Sequence, residues 1–332
     1  MESDCRLVCR CRVESGDLKG VQPEDLVSFY LKGRADSTYA AYDKAFRTLM
    51  EHAKERNNSV FCWGEGEVID FLVKRCKKGV TEAEVKSSMA VVNMLCEAMG
   101  RKSPTESPLV GKVRAGVLKE RKVNVKRKRV VMKSSHLRKM IEKLYQKTES
   151  KVQVRTLMLQ VTLFFGVRRF DDVQRVQVKD VKFKQDFVEM LLGRTKTDQL
   201  GRGVSIVLST KKRHGVGIGD ILSWGIKKMG LREEDFLFPS LGFALGQVRV
   251  LEGKPVSYTS ALEDLKTLCE GLGLPRLTLH SARIGAATLA TDAGVEKDYI
   301  RICGGWKSDA INGYIRPEAP GVRFSEAVLD FL

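Results

Sequence analysis

The chain has 332 residues, 43% hydrophobic and 30% charged, and its 58 Lys and Arg outnumber 41 Asp and Glu for a formal net charge of +17. That length and apolar content support one large or two ordinary domains, and the cationic surplus points to a polyanionic partner, nucleic acid before an acidic membrane surface. No apolar run reaches the roughly 20 residues of a membrane span, the opening Met1-Glu2-Ser3-Asp4 lacks a secretory pattern, and the eight cysteines follow no disulfide or zinc spacing.

In chain order, residues 1–20 lack periodicity and read as a loose tail, with Cys5, Cys9 and Cys11 as free thiols of a reducing compartment. From Val21 to Lys122 the pattern is helical. Asp36 or Ser37 caps a helix with Tyr42, Phe46, Leu49 and Ala53 on one face, and a second helix carries Val68, Leu72 and Cys76. Thr81 and Glu84 form a capping box ahead of Val85, Met89, Val92, Cys96 and Met99. Pro108 opens a further helix with Val110, Val113 and Val117. These helices make a small all-helical domain, 21–122.

Residues 111–129 hold nine cations, Lys112, Arg114, Lys119, Arg121, Lys122, Lys126, Arg127, Lys128 and Arg129, against Glu120 alone. The stretch 123–133 reads as a basic linker. A charge run of this kind is a solvated face, a nuclear-import signal or a strap along DNA phosphates, and its place between two folded regions favours the strap. Beyond it, 134–332 forms a larger domain. It opens on a helix with Leu137, Met140, Ile141 and Leu144, followed by an all-round apolar helix over 152–165 that belongs at the centre of a core. The period then changes to two around Val176–Val181, Phe187–Leu192 and Val204–Leu208, a three-stranded antiparallel sheet with a basic hairpin tip, and from Asp220 onward it returns to helix. The fold class expected is mainly α with a small antiparallel β-sheet, in two domains.

Four short motifs follow one another in the larger domain. Gly166-Val167-Arg168-Arg169-Phe170-Asp171 ends the apolar helix, Lys196 lies in the hairpin, His280-Ser281-Ala282-Arg283 opens a helix after Thr278, and Gly304-Gly305-Trp306 precedes Tyr314 by eight residues from the Trp. His280 and Arg283, three apart, share a helix face near an N-terminus, where free N–H groups and the dipole favour a phosphate. Two Arg forks can grip both non-bridging oxygens of one phosphodiester. Tyr314 is a phenol able to attack in line, Lys196 can protonate a leaving oxygen, His280 can move a proton or donate to phosphate, and Trp306 offers an indole N–H. Tyr299, the nearest other tyrosine, precedes Trp306 and reads as core. No carboxylate cluster accompanies these motifs, so metal-free chemistry with no cofactor is expected.

In this order the residues resemble the tyrosine recombinase (phage integrase) family, in which Arg, Lys, His-x-x-Arg, His or Trp, and Tyr succeed one another. The resemblance spans residues 21–332, its first part by architecture only. It implies that Arg168 and Arg283 clamp the scissile phosphate, Lys196 is the general acid, His280 and Trp306 are supporting donors, and Tyr314 forms a 3′-phosphotyrosyl bond. Asp171 would orient the arginines. Trp in place of the usual His is the Cre-like form, and Gly-Gly-Trp-Lys-Ser also resembles integrases of Crypton or DIRS-type eukaryotic mobile elements. Trp306 and Tyr314 are eight apart where nine is commoner.

The resemblance implies site-specific recombination or integration of double-stranded DNA without ATP. It also implies a tetramer on DNA and a helical core-binding domain that clamps the duplex, and Ser325–Leu332 could be a helix exchanged between copies. The compartment would be the nucleus of a eukaryote or otherwise the nucleoid, with no membrane partner. Two other readings share part of the pattern. A type IB topoisomerase would relax supercoils without site preference. A domesticated DNA-binding regulator would not cut.

Overall fold

The structure, a computed structural model, describes residues 36–98, 100–120, 130–193, 203–212, 215–244, 246–306 and 309–315. The chain divides into two compact units, Met1–Arg127 and Lys128–Leu332.

The first unit is built from α1 (Asp36–Glu55), α2 (Glu65–Lys77), α3 (Glu82–Ala98) and α4 (Pro108–Glu120), with α1 packed on α3 and α2 on α4. The apolar spacing buries Phe46, Leu49 and Ala53 of α1, Val68 and Leu72 of α2, Val85, Met89 and Val92 of α3, and Val110 and Val117 of α4, while Tyr42, Cys76 and Val113 pack at its margin. The capping box forms as the spacing requires: the Thr81 N–H donates to Glu84 Oε2 at 2.8 Å and the Glu84 N–H donates to Thr81 Oγ1 at 3.2 Å. The cysteines of the tail and residue 99 fall outside the described residues.

The second unit is organised around α6 (Lys151–Phe165), which begins after α5 (Ser134–Leu144). Ser150 caps α6 by accepting the Gln153 N–H, and every residue from Val154 to Phe164 is buried. A helix apolar on all sides needs partners on all sides. Those partners are α5, α8 (Ile218–Met229), α9 (Tyr258–Gly271) and α10 (Leu279–Asp292). A short helix, α7 (Phe170–Val173), follows α6, and α11 (Lys297–Gly304) follows α10. The sheet is the antiparallel meander β1 (Val181–Phe183), β2 (Phe187–Leu192) and β3 (Val204–Ser209), with Val188 opposite Leu208 and Met190 opposite Ile206, all four buried. The hairpin tip carrying Lys196 and the C-terminal segment Ser325–Leu332 lie outside the described residues.

One expectation fails. The region beyond Asp220 is not helical throughout, because β4 (Pro239–Ala244) and β5 (Gln247–Pro255) pair as a two-stranded antiparallel ribbon. Much of the ribbon meets solvent, with Phe243 77% exposed, while Leu241 and Val250, opposite each other, pack against the core. Its alternation in the sequence is short, Leu241 and Phe243 in one strand and Val248 and Val250 in the other.

The chain enters the second unit along α10. The Met132 N–H donates to the Ser281 carbonyl at 3.2 Å, the Met132 side chain is fully buried, and its carbonyl lies against Gly285, where an added Cβ would stand 1.9 Å from the oxygen. Backbone on both sides leaves nothing to yield. Gly285→Ala should therefore lower the stability of the second unit by about 2–3 kcal/mol in urea unfolding. Gly116→Ala, in open space on α4, should raise that of the first by about 0.5–1 kcal/mol through helix propensity alone.

Candidate active site

Each motif reaches the site through a local structural device. Gly166 closes α6, and its bare Cα is required because a Cβ would lie 2.8 Å from the Thr162 carbonyl oxygen. Val167 then turns with φ of +50°, a left-handed conformation that strains a β-branched residue. The turn leads through Arg168 and Arg169 into α7, where Asp172 Oδ2 accepts the Arg169 N–H at 3.1 Å.

Thr278 starts α10, its N–H donating to Ser281 Oγ at 2.9 Å, so His280 and Arg283 rise from the first turns of the helix. At the far end of the site, Gly305 (φ +65°) ends α11 with a left-handed cap, and the N–H groups of Gly305 and Trp306 return to the carbonyls of Ile302 and Arg301. Gly304 is pressed against the indole: a Cβ there would stand 1.8 Å from a ring carbon of Trp306. The pair Gly304-Gly305 thus has two separate reasons, contact and conformation. Tyr314 follows a single 3₁₀ turn, Asp309–Gly313. Its N–H donates to Ile311 at 2.8 Å and its carbonyl accepts from Thr288 Oγ1 of α10 at 3.3 Å.

Four of the expected residues converge. The Arg283 guanidinium carbon stands 3.8 Å from the Trp306 ring centroid and 5.2 Å from that of Tyr314. Tyr314 is 5.0 Å, centroid to centroid, from both Trp306 and His280, edge-on to the indole at 68°. Arg283 is fully buried, and its Nη1 donates to the Val167 carbonyl at 2.8 Å, tying the turn after α6 to α10. Its Nε and Nη2, and the Trp306 Nε1, are buried with no acceptor among the described residues. Burial pushes the Arg283 guanidinium down to about 10, and the positive charge of Arg169 pushes the same way against the pull of Tyr314 and Asp172. It stays cationic at neutral pH.

The remaining expected residues distribute differently. Arg168 is 5% exposed, and burial lowers its pKa against the opposing pull of Asp172 and Cys303. Asp171 is exposed on α7, and the buried carboxylate that acts on both Arg168 and Arg283 is its neighbour Asp172. Asp171, expected to orient the arginines, makes no hydrogen bond or ion pair to either of them among the described residues. Arg169, half-buried, was not among the expected site residues. Its signal in the sequence was the acid three residues on, the spacing that lets Asp172 cap it. Tyr299 is 63% exposed on α11 and not core. Lys196 lies outside the described residues, as do Arg121, Lys122, Lys126, Arg127, Lys128 and Arg129. Lys112, Arg114 and Lys119 are exposed on α4. Among the described residues no helix is long and apolar enough to cross a membrane.

No protein-family model matches the sequence, and no curated protein sequence matches it. Solved structures do match in fold. The chain is similar to XerH site-specific recombinase bound to a palindromic difH substrate in a post-cleavage complex, with a TM-score of 0.61 and 15% identity over 89% of this chain and 79% of that one. It is similar to the Tn1549 transposon integrase in complex with a circular intermediate DNA, with a TM-score of 0.56 and 13% identity over 99% of both chains. It is similar also to a lambda integrase dimer bound to a COC′ core site, with a TM-score of 0.53 and 13% identity over 94% of this chain and 85% of that one. Mainly helical, with a small antiparallel sheet in its larger unit, the chain has the two-domain fold of the tyrosine recombinases and integrases.

Proposed function

We propose that this protein is a DNA strand-transferase, a site-specific recombinase or integrase that cuts and rejoins double-stranded DNA through Tyr314. The observation that carries the reading is the group of buried donors without acceptors among the described residues, Arg283 Nε and Nη2 and Trp306 Nε1, beside a phenol whose ring centre is 5.2 Å from the guanidinium carbon. Each orphaned buried donor costs about 1–3 kcal/mol, and the oxygens of one phosphodiester would satisfy all three.

In the proposed reaction, the Tyr314 hydroxyl loses its proton and its oxygen attacks the phosphorus in line. A 3′-phosphotyrosyl bond forms as the bond to the 5′-oxygen breaks, and that oxygen leaves as a hydroxyl with a proton from Lys196. A 5′-hydroxyl from the partner strand then reverses each step. The ester energy is kept in the phosphotyrosine, so no nucleotide is hydrolysed. Arg283 and a second arginine from the turn after α6 hold the charge that builds on the equatorial oxygens, Trp306 donates to one of them, and His280 lies against the phenol to move its proton. Guanidinium charge does the work that the expected absence of a cofactor or metal leaves to side chains.

The same reading assigns Lys112, Arg114 and Lys119, with the cations of 121–129, to the phosphate backbone, where they set affinity and not sequence choice. Lys112 and Lys119, seven apart, share one face of α4. Cutting two duplexes in step needs several copies, so a tetramer on DNA is part of the proposal, in whichever compartment holds the DNA.

Tyr314→Phe should keep duplex affinity and form no SDS-resistant adduct on a nicked suicide duplex, while the parent leaves a 3′-linked adduct and a free 5′-hydroxyl. An adduct that persists in the variant would remove Tyr314 from the reaction, and relaxation of plasmid lacking any preferred site would mark a topoisomerase instead. Lys112→Ala and Lys119→Ala should each reduce the slope of log affinity against log salt by about 0.9, uniformly across sequences, as read by fluorescence anisotropy.

A further inference from the structure

Resting on the strand-transfer reading, we infer that Arg169, and not Arg168, is the arginine that grips the phosphate beside Arg283, and that Asp172 is its positioning residue. Two adjacent arginines cannot serve one point from extended backbone, because consecutive side chains leave it on opposite sides. Arg169 has that backbone, with φ −80° and ψ 154°. One of the pair therefore faces the tyrosine and the other faces away.

Several observations sort them. Arg169 is half-buried and so open to a ligand on one side, whereas Arg168 is 5% exposed, its Nε buried and without an acceptor among the described residues. Among the charged groups that act on Arg283, Arg169 is the strongest, ahead of Tyr314 and Asp172, and Arg168 is the weakest. The ionised groups that act on Arg168 are Asp172 and Arg169. Arg169 and Arg283 thus carry like charges that repel, and a bound phosphate would relieve that repulsion.

Asp172 fixes the geometry from beneath. Its Oδ2 holds the Arg169 N–H at 3.1 Å, and at 5% exposure its position is set by packing. The turn above it contributes the other half, since the Val167 carbonyl orients Arg283. Residues 167–169 therefore aim both guanidinium groups, one by carbonyl and one by chain direction.

The test compares Arg169→Ala with Arg168→Met in the full chain, with thermal melts to establish folding. Two readouts are taken, adduct formation on a nicked suicide duplex and binding of inorganic phosphate by titration calorimetry. Arg169→Ala should melt near the parent and slow adduct formation by on the order of 100-fold, with phosphate binding weakened by roughly tenfold. Arg168→Met, or Arg168→Lys if the methionine variant does not fold, should keep both within about threefold. The assignment is overturned if Arg169→Ala cleaves at the parental rate, or if a folded Arg168 variant loses cleavage and phosphate together. Should the parent form no adduct, strand transfer itself fails and the phosphate titration alone decides, with unchanged binding in Arg169→Ala overturning the assignment. For Asp172, the double variant Asp172→Asn with Arg169→Ala should cleave no more slowly than Arg169→Ala alone. Additive losses would make Asp172 a residue of the fold and not of Arg169.

Discussion

The contact on which the rest of the catalytic unit depends is the one between Arg283 and the Val167 carbonyl. A guanidinium with no solvent exposure is costly to enclose, and among the described residues it has one hydrogen bond, one stacked indole and a nearby carboxylate. Those three come from the turn after α6, the segment after α11, and α7. Holding Arg283 in place therefore requires α6, α7, α10 and α11 to be in place together. The strained backbone at Val167 fits the same pattern, because a left-handed turn at a β-branched residue persists only where its surroundings over-determine it.

The glycines around the site show how little freedom that leaves. Gly166, Gly285 and Gly304 are each pressed by a carbonyl or a ring at distances no side chain could occupy, and Gly305 supplies the one left-handed cap that turns the chain from α11 into Trp306. In the first unit the requirement is looser. Ordinary amphipathic helices meet there, and several glycines stand in open space.

Much of this was legible in advance, and the failures are instructive. The helices of the first unit and α6 announced themselves because each has a single periodic reason for its apolar residues, one face or all faces. The ribbon β4–β5 did not, since its alternation runs over only two apolar residues in each strand. His280, Arg283, Trp306 and Tyr314 stood out through order and spacing, and the structure brings them within about one ring diameter of one another. The turn between α6 and α7 was harder. Arg168 and Arg169 have the same charge and chemistry, and the left-handed backbone at Val167 breaks the regular turn from which their directions could be counted. The same one-residue ambiguity separates Asp171 from Asp172. Sequence spacing locates a motif to within a residue, and backbone handedness decides the last step.

The ribbon has a consequence of its own. Two strands without a third are marginal in water, and β4–β5 are joined to the body by Arg155 to the Pro239 carbonyl, by Arg232 to Glu252 and by Leu241 and Val250 against the core. Beyond those ties the backbone of the ribbon is exposed, and its amide hydrogens can exchange without any opening of the core. The outer half of the ribbon is thus thermodynamically a separate piece, able to fray, be nicked by a protease or be re-formed against another surface while the guanidinium cluster beneath α10 stays shut.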